Sequence, residues 1–264
     1  MVTEVSNEDG IGTFRLGAWT EFYDFLYARI LTRESKARFI WRGQRRADWS
    51  LSTSLDRLFE KTVVAAGDRD READNQLDAF KYAARGRRGL NPPKLDANEW
   101  WALGQHYGLA TPLLDWTRSP FAAAYFAFVD DASDRTEHRV VYGLDQQAVG
   151  AKNDEILNAE SLEKGRPSVI EFIDPLVDEN LRLVSQAGLF TRAPIGVPIE
   201  TWVATAFESS SVPVLLRIEL PDADRLVCLS SLEHMNINHA SLFPDLVGAC
   251  VYVNIRRELG QLNG

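Results

Sequence analysis

Residues 119–128, SPFAAAYFAF, limit more than any other segment how this chain can fold. Ser-Pro is typical of a helix start, with Ser119 as the N-cap and Pro120 in the first turn. From Phe121 to Phe128 the helix is apolar on nearly every side, so it must be covered on nearly every side. TPLLDWT, just before it, predicts a strand. We therefore expect a buried strand–turn–helix unit at the centre of the fold.

The rest of the chain predicts helices and strands without a regular βαβ alternation. Helices are predicted over 18–33, over 75–87 and over 98–108. A further helix is predicted after residues 51–54, with Ser52 or Ser54 as its N-cap. Strands are predicted at 37–44 (breaking at Gly43), 139–145, 168–174, 181–186, 212–220 and 249–255. Cys228 and Cys250 lie in strand-like apolar runs, where buried thiols are expected. The fold class is α+β, a single domain with central mixed or antiparallel sheets and flanking helices.

Composition narrows the class of protein. A chain of 264 residues with 45% hydrophobic content can build a sizeable core, and two cysteines make no disulfide framework. No signal peptide is visible and the longest apolar run is Phe121–Val129, so we expect a cytoplasmic protein without a membrane partner. The net charge of −9 argues against broad nucleic-acid binding. One basic segment, KYAARGRR at 81–88, is either a solvated helix end or a phosphate or partner contact.

Residues 105–118 hold many side chains that can do chemistry. His106 can exchange a proton near neutral pH, and Tyr107 can stack on a planar ligand. Asp115 lies in an apolar strand, so we expect it to be at least half-buried and to need donors, with Thr111 and Thr117 as hydroxyl partners. Each alone is typical of a satisfied polar group in the core. Their convergence with Gln105 where a strand ends is typical of a pocket.

Two further segments add candidate site residues. In IWRGQ, the Arg42 guanidinium must be paired, either with a carboxylate such as Asp115 or with a phosphate or carboxylate of a ligand. Gly43 leaves room for a close approach. LRLVSQAGLFTR contains Arg182, Ser185, Gln186 and Arg192 and is either a polar strand end or part of a site. In LFPDL at 242–246, Phe243 and Leu246 are expected to pack into the core.

These motifs, in this order, resemble the FRG domain. The stretch FIWRGQRRADWSLSTSL places Trp41-Arg42-Gly43 at the family's aromatic-Arg-Gly motif. QHYGLATPLLDWTRSPFAAAYFAF is similar to the family's central motif and departs from it at Ala110 and Pro112, where Pro and Arg are usual. Arg182–Phe190 and 242–246 resemble its later motifs. The resemblance implies an FRG-like domain over 35–255, between a helical lead-in at 1–34 and a tail at 256–264.

A fainter resemblance is to ADP-ribosyltransferases of the Arg-Ser-Glu type. It implies that Arg42 holds the NAD diphosphate or ribose and that the strand ending at Thr117 supports the nicotinamide pocket. The third motif of those enzymes carries a Glu, where this chain has Gln186 and Gly188. Asp115 or Glu233 would then have to supply the negative charge that stabilises an oxocarbenium-like transition state.

The sequence therefore predicts a cleft around Arg42 that binds NAD or another nucleotide, with no metal. The candidates for catalysis are His106, Asp115 and Gln186, and those for ligand binding are Arg42, Gly43, Gln105, Tyr107, Thr111 and Thr117. The protein is either an ADP-ribosyltransferase-like or glycohydrolase-like enzyme or a sensor that binds a nucleotide or a protein without turnover. A third alternative is a bacterial or phage toxin or defence effector. The partner would be a nucleotide or a protein acceptor.

Overall fold

A computed structural model describes residues 2–31, 39–131, 136–159, 167–175 and 181–260. The strands are β1 (Thr3–Glu8), β2 (Ile11–Arg15), β3 (Phe39–Gln44), β4 (Leu114–Thr117), β5 (His138–Asp145), β6 (Glu171–Ile173), β7 (Gly188–Arg192) and β8 (Leu215–Pro221). The helices are α1 (Glu21–Leu26), α2 (Ser54–Lys61), α3 (Arg69–Ala83), α4 (Ala97–His106), α5 (Pro120–Phe128), α6 (Gln146–Ala159), α7 (Leu181–Ser185), α8 (Ile199–Ala206), α9 (Arg225–His234), α10 (His239–Leu242) and α11 (Leu246–Glu258). A π-helical turn, Tyr27–Leu31, extends α1.

The described strands form one eight-stranded sheet in the order β1-β2-β8-β5-β3-β4-β7-β6. Strand β2 runs parallel to β8, and all other neighbours are antiparallel. The predicted α+β class, with a mixed sheet and flanking helices, is confirmed. The sequence predicted only a helix before residue 35, whereas residues 3–15 also form a hairpin that joins the sheet through β8.

The sheet opens between β3 and β4. Strand β3 pairs with β5 over its whole length, from Phe39 to Gln44, but with β4 only at Trp41 and Thr117. Beyond that single pair the edges of β3 and β4 diverge. Because backbone groups and side chains at a divergence have no neighbouring strand to cover them, it is a natural place for a cleft.

Helices cover both faces of the sheet. On one face α1, α5 and α9 pack over residues such as Phe14, Trp41 and Ile218. On the other face α6 and α8 pack over Ile40, Trp116 and Tyr142, among others. A third cluster joins α2, α3 and α4 to the β4–β7–β6 end of the sheet. Helix α5 is buried along its length, as its composition predicts.

Helix α5 lies unusually close to β3 at Gly43. A Cβ atom on Gly43 would lie 1.9 Å from the Ala123 carbonyl oxygen and 2.6 Å from the Ala127 nitrogen. The expectation that the strand breaks at Gly43 is wrong, because β3 continues to Gln44. Glycine stands here because the helix backbone occupies the space of a side chain.

The helix starts follow local hydrogen bonding. The Ser119 hydroxyl accepts from the Ala122 N–H at 3.2 Å, so the predicted cap of α5 is confirmed. The cap of α2 is Thr53, and not Ser52 or Ser54 as the sequence suggested. Thr53 and Asp56 form a reciprocal capping box, in which each side chain accepts from the other residue's backbone N–H. The Ser54 hydroxyl instead accepts from the Thr111 N–H at 2.9 Å.

Two predicted strands are helices. Residues 181–185 form α7, and residues 249–255 lie inside α11. Cys228 is buried as expected but lies on helix α9, whereas Cys250 is exposed. Leu246, expected in the core, is exposed at the start of α11, while Phe243 packs against the core. No described helix has the length and apolar character needed to cross a membrane.

Candidate functional site

Arg42 lies where β3 and β4 diverge. Its Nη1 donates to the carbonyl oxygen of Asp115 at 2.7 Å and lies 3.8 Å from the carboxylate Oδ2. The predicted contact between these residues is confirmed, but the expected burial of Asp115 is wrong: its side chain is 66% exposed, against 21% for Arg42. The carboxylate is exposed because β3 no longer lies alongside β4 at this point.

A chain of hydrogen bonds holds the Asp115 carboxylate. Gln105, near the end of α4, donates from Nε2 to Asp115 Oδ1 at 2.8 Å. The hydroxyl of the fully buried Thr111 donates to Gln105 Oε1. Four of the residues that the sequence singled out, Arg42, Gln105, Thr111 and Asp115, therefore form one connected network.

The Arg42 guanidinium has an N–H donor that no described residue uses. Its Nε is buried and has no hydrogen-bond partner among the residues that the structure describes. Burial lowers the pKa of Arg42, the nearby Asp115 opposes that shift, and the positive charge of Arg57 adds to it. Burying a cationic donor beside a second cation costs free energy unless an anionic group lies close to both.

A cavity of about 530 Å³ lies against this guanidinium. Its lining combines three arginines, two serines, two aromatic rings, two carboxylates, Gly43 and an amide: Arg42, Arg45, Arg57, Ser50, Ser52, Trp49, Phe126, Asp48, Asp130, Gly43 and Gln44. Both carboxylates have other cationic partners, because Asp130 lies 3.2 Å from Arg45 and Asp48 lies 2.6 Å from Arg46. Neither lies in an ion pair with Arg42 or Arg57 in the described part of the chain.

The Thr117 side chain contacts the backbone of Gln186. The Thr117 hydroxyl donates to the Gln186 carbonyl oxygen at 2.6 Å and accepts from the Ser119 N–H at 3.1 Å. The Gln186 side chain donates to the Leu242 carbonyl oxygen at 3.1 Å. Gln186 follows helix α7 instead of lying on a third strand. Its side-chain amide therefore ties the segment after α7 to α10.

His106 and Tyr107 lie in surroundings other than the Arg42 network. His106 lies near the ion pair of Arg182 with Asp245; burial lowers its pKa, Arg182 lowers it further and Asp245 opposes the shift. The Tyr107 side chain is 76% exposed and lines a different cavity, beside α3. The pocket predicted from residues 105–118 is thus divided between separate surroundings.

The loop that lines most of the cavity was not predicted from the sequence. Arg45, Trp49, Ser50 and Ser52 follow directly after β3, and Arg57 lies on α2. The signal is present in RGQRRADWSLSTS, where basic, aromatic and hydroxyl residues follow a strand end. In the described residues, no group of three or more His, Cys, Asp or Glu is placed to hold a metal ion.

Comparison with known families identifies the part of the chain that carries this site. Residues 37–136 match the family model of the FRG domain. Over these residues the chain is similar to the FRG domain. The match includes every residue that lines the Arg42 cavity and the Gln105–Asp115 network, whereas Gln186 and the residues from α7 to α11 lie outside it. No curated protein and no solved structure matches the chain.

Proposed function

We propose that this FRG-domain protein binds a phosphate-bearing nucleotide, with NAD as the first candidate, in the cavity beside Arg42. The observation that carries the proposal is the buried Arg42 Nε, which has no hydrogen-bond partner among the described residues and faces the added positive charge of Arg57. A planar guanidinium presents paired donors that match the oxygens of a phosphate. An anionic ligand would supply the missing acceptor.

The lining of the cavity supports a nucleotide over a simple anion. Arg42 and Arg57 would hold a diphosphate, and the hydroxyls of Ser50 and Ser52, 3.0 Å apart, are placed in the same lining to donate to it. Trp49, which is 45% exposed, offers an aromatic surface for a base. The volume of about 530 Å³ is within the usual range for small-molecule sites.

Asp115 favours turnover of NAD as a second candidate function. Its exposed carboxylate is held by Gln105 next to Arg42, so a negative charge stands beside the proposed diphosphate site. If nicotinamide leaves with the electron pair of the glycosidic bond, the ribose carbon becomes cationic, and this carboxylate would stabilise it. Water or a protein side chain would then form the new bond at that carbon and lose a proton to the solvent. A sensor would bind NAD without this step.

Calorimetric titration of NAD, ADP-ribose and pyrophosphate into the wild-type protein and into Arg42→Gln tests the proposal. We expect Arg42→Gln to weaken NAD binding about 10- to 100-fold, the usual loss for a charge-assisted hydrogen bond to a buried group. Arg71→Gln, which removes an exposed arginine from α3, is the matched control and should bind as the wild type does. Folding of each variant is checked by circular dichroism.

The outcomes separate binding from turnover. Equal affinity in wild type and folded Arg42→Gln, or no binding of any of the three compounds, would contradict the proposed site. Chromatographic detection of free nicotinamide, lost in Asp115→Asn while NAD still binds, would establish the enzyme. Binding without nicotinamide release would establish the sensor.

A further inference from the structure

A second cavity lies between α3 and α4 and shares no lining residue with the first. It also has a volume of about 530 Å³. The apolar part of its lining consists of Phe80, Ala83, Ala84 and Leu103, and the polar part consists of Arg87, Arg88 and Tyr107. It brings together the basic segment 81–88 and the exposed Tyr107, which are separate motifs in the sequence.

The basic residues of this segment divide into two pairs. Lys81 lies 3.0 Å from Asp78, and Arg85 donates from Nε to the Tyr82 carbonyl oxygen at 3.3 Å, with its guanidinium 3.6 Å from the Tyr82 ring centroid. These two residues compensate the end of α3, where free carbonyls carry partial negative charge. Arg87 and Arg88 follow the helix and line the cavity, so compensation of the helix end does not account for them.

Arg88 is held in position without an anionic partner among the described residues. Its guanidinium lies 4.7 Å from the ring centroid of Trp100, and its Nη2 donates to the Pro93 carbonyl oxygen at 3.0 Å. Arg87 is exposed and has no ion pair with any described residue. A preorganised guanidinium and a free one thus border an apolar floor, on a chain whose net charge is −9.

We infer that this cavity binds a small amphipathic anion, with an aliphatic or aromatic body and a single carboxylate, sulfonate or phosphate. The body would cover Phe80 and Leu103, since transfer of apolar area from water is favourable by about 25 cal/mol per Å². The charged end would lie between Arg87 and Arg88, and Tyr107 would close one side. The inference does not depend on nucleotide binding at Arg42, because the two cavities have no lining residue in common.

Fluorescence titration with 8-anilinonaphthalene-1-sulfonate, followed by displacement with decanoate or decanol, tests this site. We expect saturable binding, displacement by decanoate at a concentration at least about tenfold lower than by decanol, and a loss of about tenfold or more in the double variant Arg87→Gln/Arg88→Gln. Ala83→Trp, at an exposed position in the lining, should block the cavity without disturbing the core. Arg85→Gln and Arg42→Gln are the controls and should bind the probe as the wild type does.

Several results would overturn the inference. One is the absence of saturable probe binding, and another is equal displacement by decanol and decanoate. Unchanged probe binding in the folded Arg87/Arg88 double variant, or in Ala83→Trp, would overturn it too. Because Arg42→Gln is included, probe bound in the first cavity would be recognised by its loss in that variant. Such a loss, with Ala83→Trp unaffected, would also overturn it.

Discussion

At Gly43 a hydrogen atom stands where every other residue would place a carbon atom against the backbone of α5. The obstacle is the Ala123 carbonyl oxygen and the Ala127 nitrogen, which are backbone atoms of a largely buried helix and have no flexible end that could turn away. The close approach that the sequence indicated is therefore made by a helix. The same contact fixes α5 against the strand that carries Arg42.

We expect Gly43→Ala to lower the free energy of unfolding by at least about 1–3 kcal/mol, the usual cost of overpacking a core. Urea denaturation followed by circular dichroism measures the change. Gly150→Ala is the matched control, because Gly150 lies in α6 with nothing within 4 Å of the added carbon. There alanine should stabilise the helix by about 0.5–1 kcal/mol. An unchanged stability in Gly43→Ala would show that α5 can move away.

At the scale of single residues, the sequence predicted the Arg42 contact but not the full site. Arg42, Asp115, Gln105 and Thr111 were found because charged and polar groups beside an apolar strand must have partners. Arg57 was missed because an arginine on an amphipathic helix is usually solvated, and only its position after the Thr53 cap turns it toward the cavity. Tyr107 lines the other cavity because α4 ends at His106, and the chain turns there.

Helix α5 ends without a glycine, and two buried arginines bind its last carbonyl groups. Arg139 donates from Nη1 to the carbonyl oxygens of Ala127 and Asp130, both at 2.8 Å, and Arg225 donates to those of Phe128 and Val129, both at 3.0 Å. Arginine here takes the place of a helix C-cap motif. Asp222 pairs with Arg139 at 2.6 Å, and both side chains are buried.

We expect Arg139→Met to cost about 3–5 kcal/mol of unfolding free energy, because it removes the cationic side chain that pairs with the buried Asp222 carboxylate. The double variant Arg139→Met/Asp222→Leu should recover a large part of that loss, since it removes the buried carboxylate as well. Thermal and urea denaturation of the single and double variants measure both effects. If the single variant loses no more than Arg71→Gln, which breaks exposed ion pairs, Arg139 does not hold the end of α5.

At the scale of elements, β3, β4, β5, β6, β8 and helices α2 to α5 lie where strands and helices were predicted, whereas residues 181–185 and 249–255 are helices where strands were predicted. The run ACVYVNI is rich in β-branched residues, which favours a strand. In the structure Gly248, Val251, Ile255 and Leu259 repeat at helical spacing and face the core, and the Asp245 side chain accepts from the Gly248 N–H at 2.7 Å to begin the helix. The helical period was present, but propensity outweighed it in the prediction.

At the scale of the whole molecule, two histidines from distant parts of the sequence lie near the same ion pair, Arg182 with Asp245. His106 at the end of α4 and His239 on α10 are both close enough to Arg182 and Asp245 to interact with their charges. Burial lowers the pKa of both histidines, Arg182 adds to the shift, and Asp245 opposes it. Three helices from distant parts of the sequence, α4, α7 and α10, thus lie close together around His106 and His239, the two histidines with lowered pKa values.

This arrangement predicts that the protein loses stability in acid below about pH 6.5, the pKa of an unfolded histidine. Between that value and the lower folded pKa, the unfolded chain binds more protons, so the free energy of unfolding falls as the pH falls. Urea denaturation between pH 7.5 and pH 5 should show this slope, and His106→Gln and His239→Gln should each reduce it. An identical slope in the wild type and both variants would contradict the prediction.

The divergence of β3 and β4 divides the eight described strands into two plates. Strands β1, β2, β8, β5 and β3 form one plate and β4, β7 and β6 form the other, and within the described residues the plates share one ladder pair, Trp41 with Thr117. Helix α5, the apolar cluster that contains Ile40 and Trp116, and the bond between the Arg42 guanidinium and the Asp115 carbonyl also connect the plates. A ligand that draws Arg42 toward itself would compete with that bond. Occupancy of the cavity and the angle between the plates would then be thermodynamically linked, so that each could change the other.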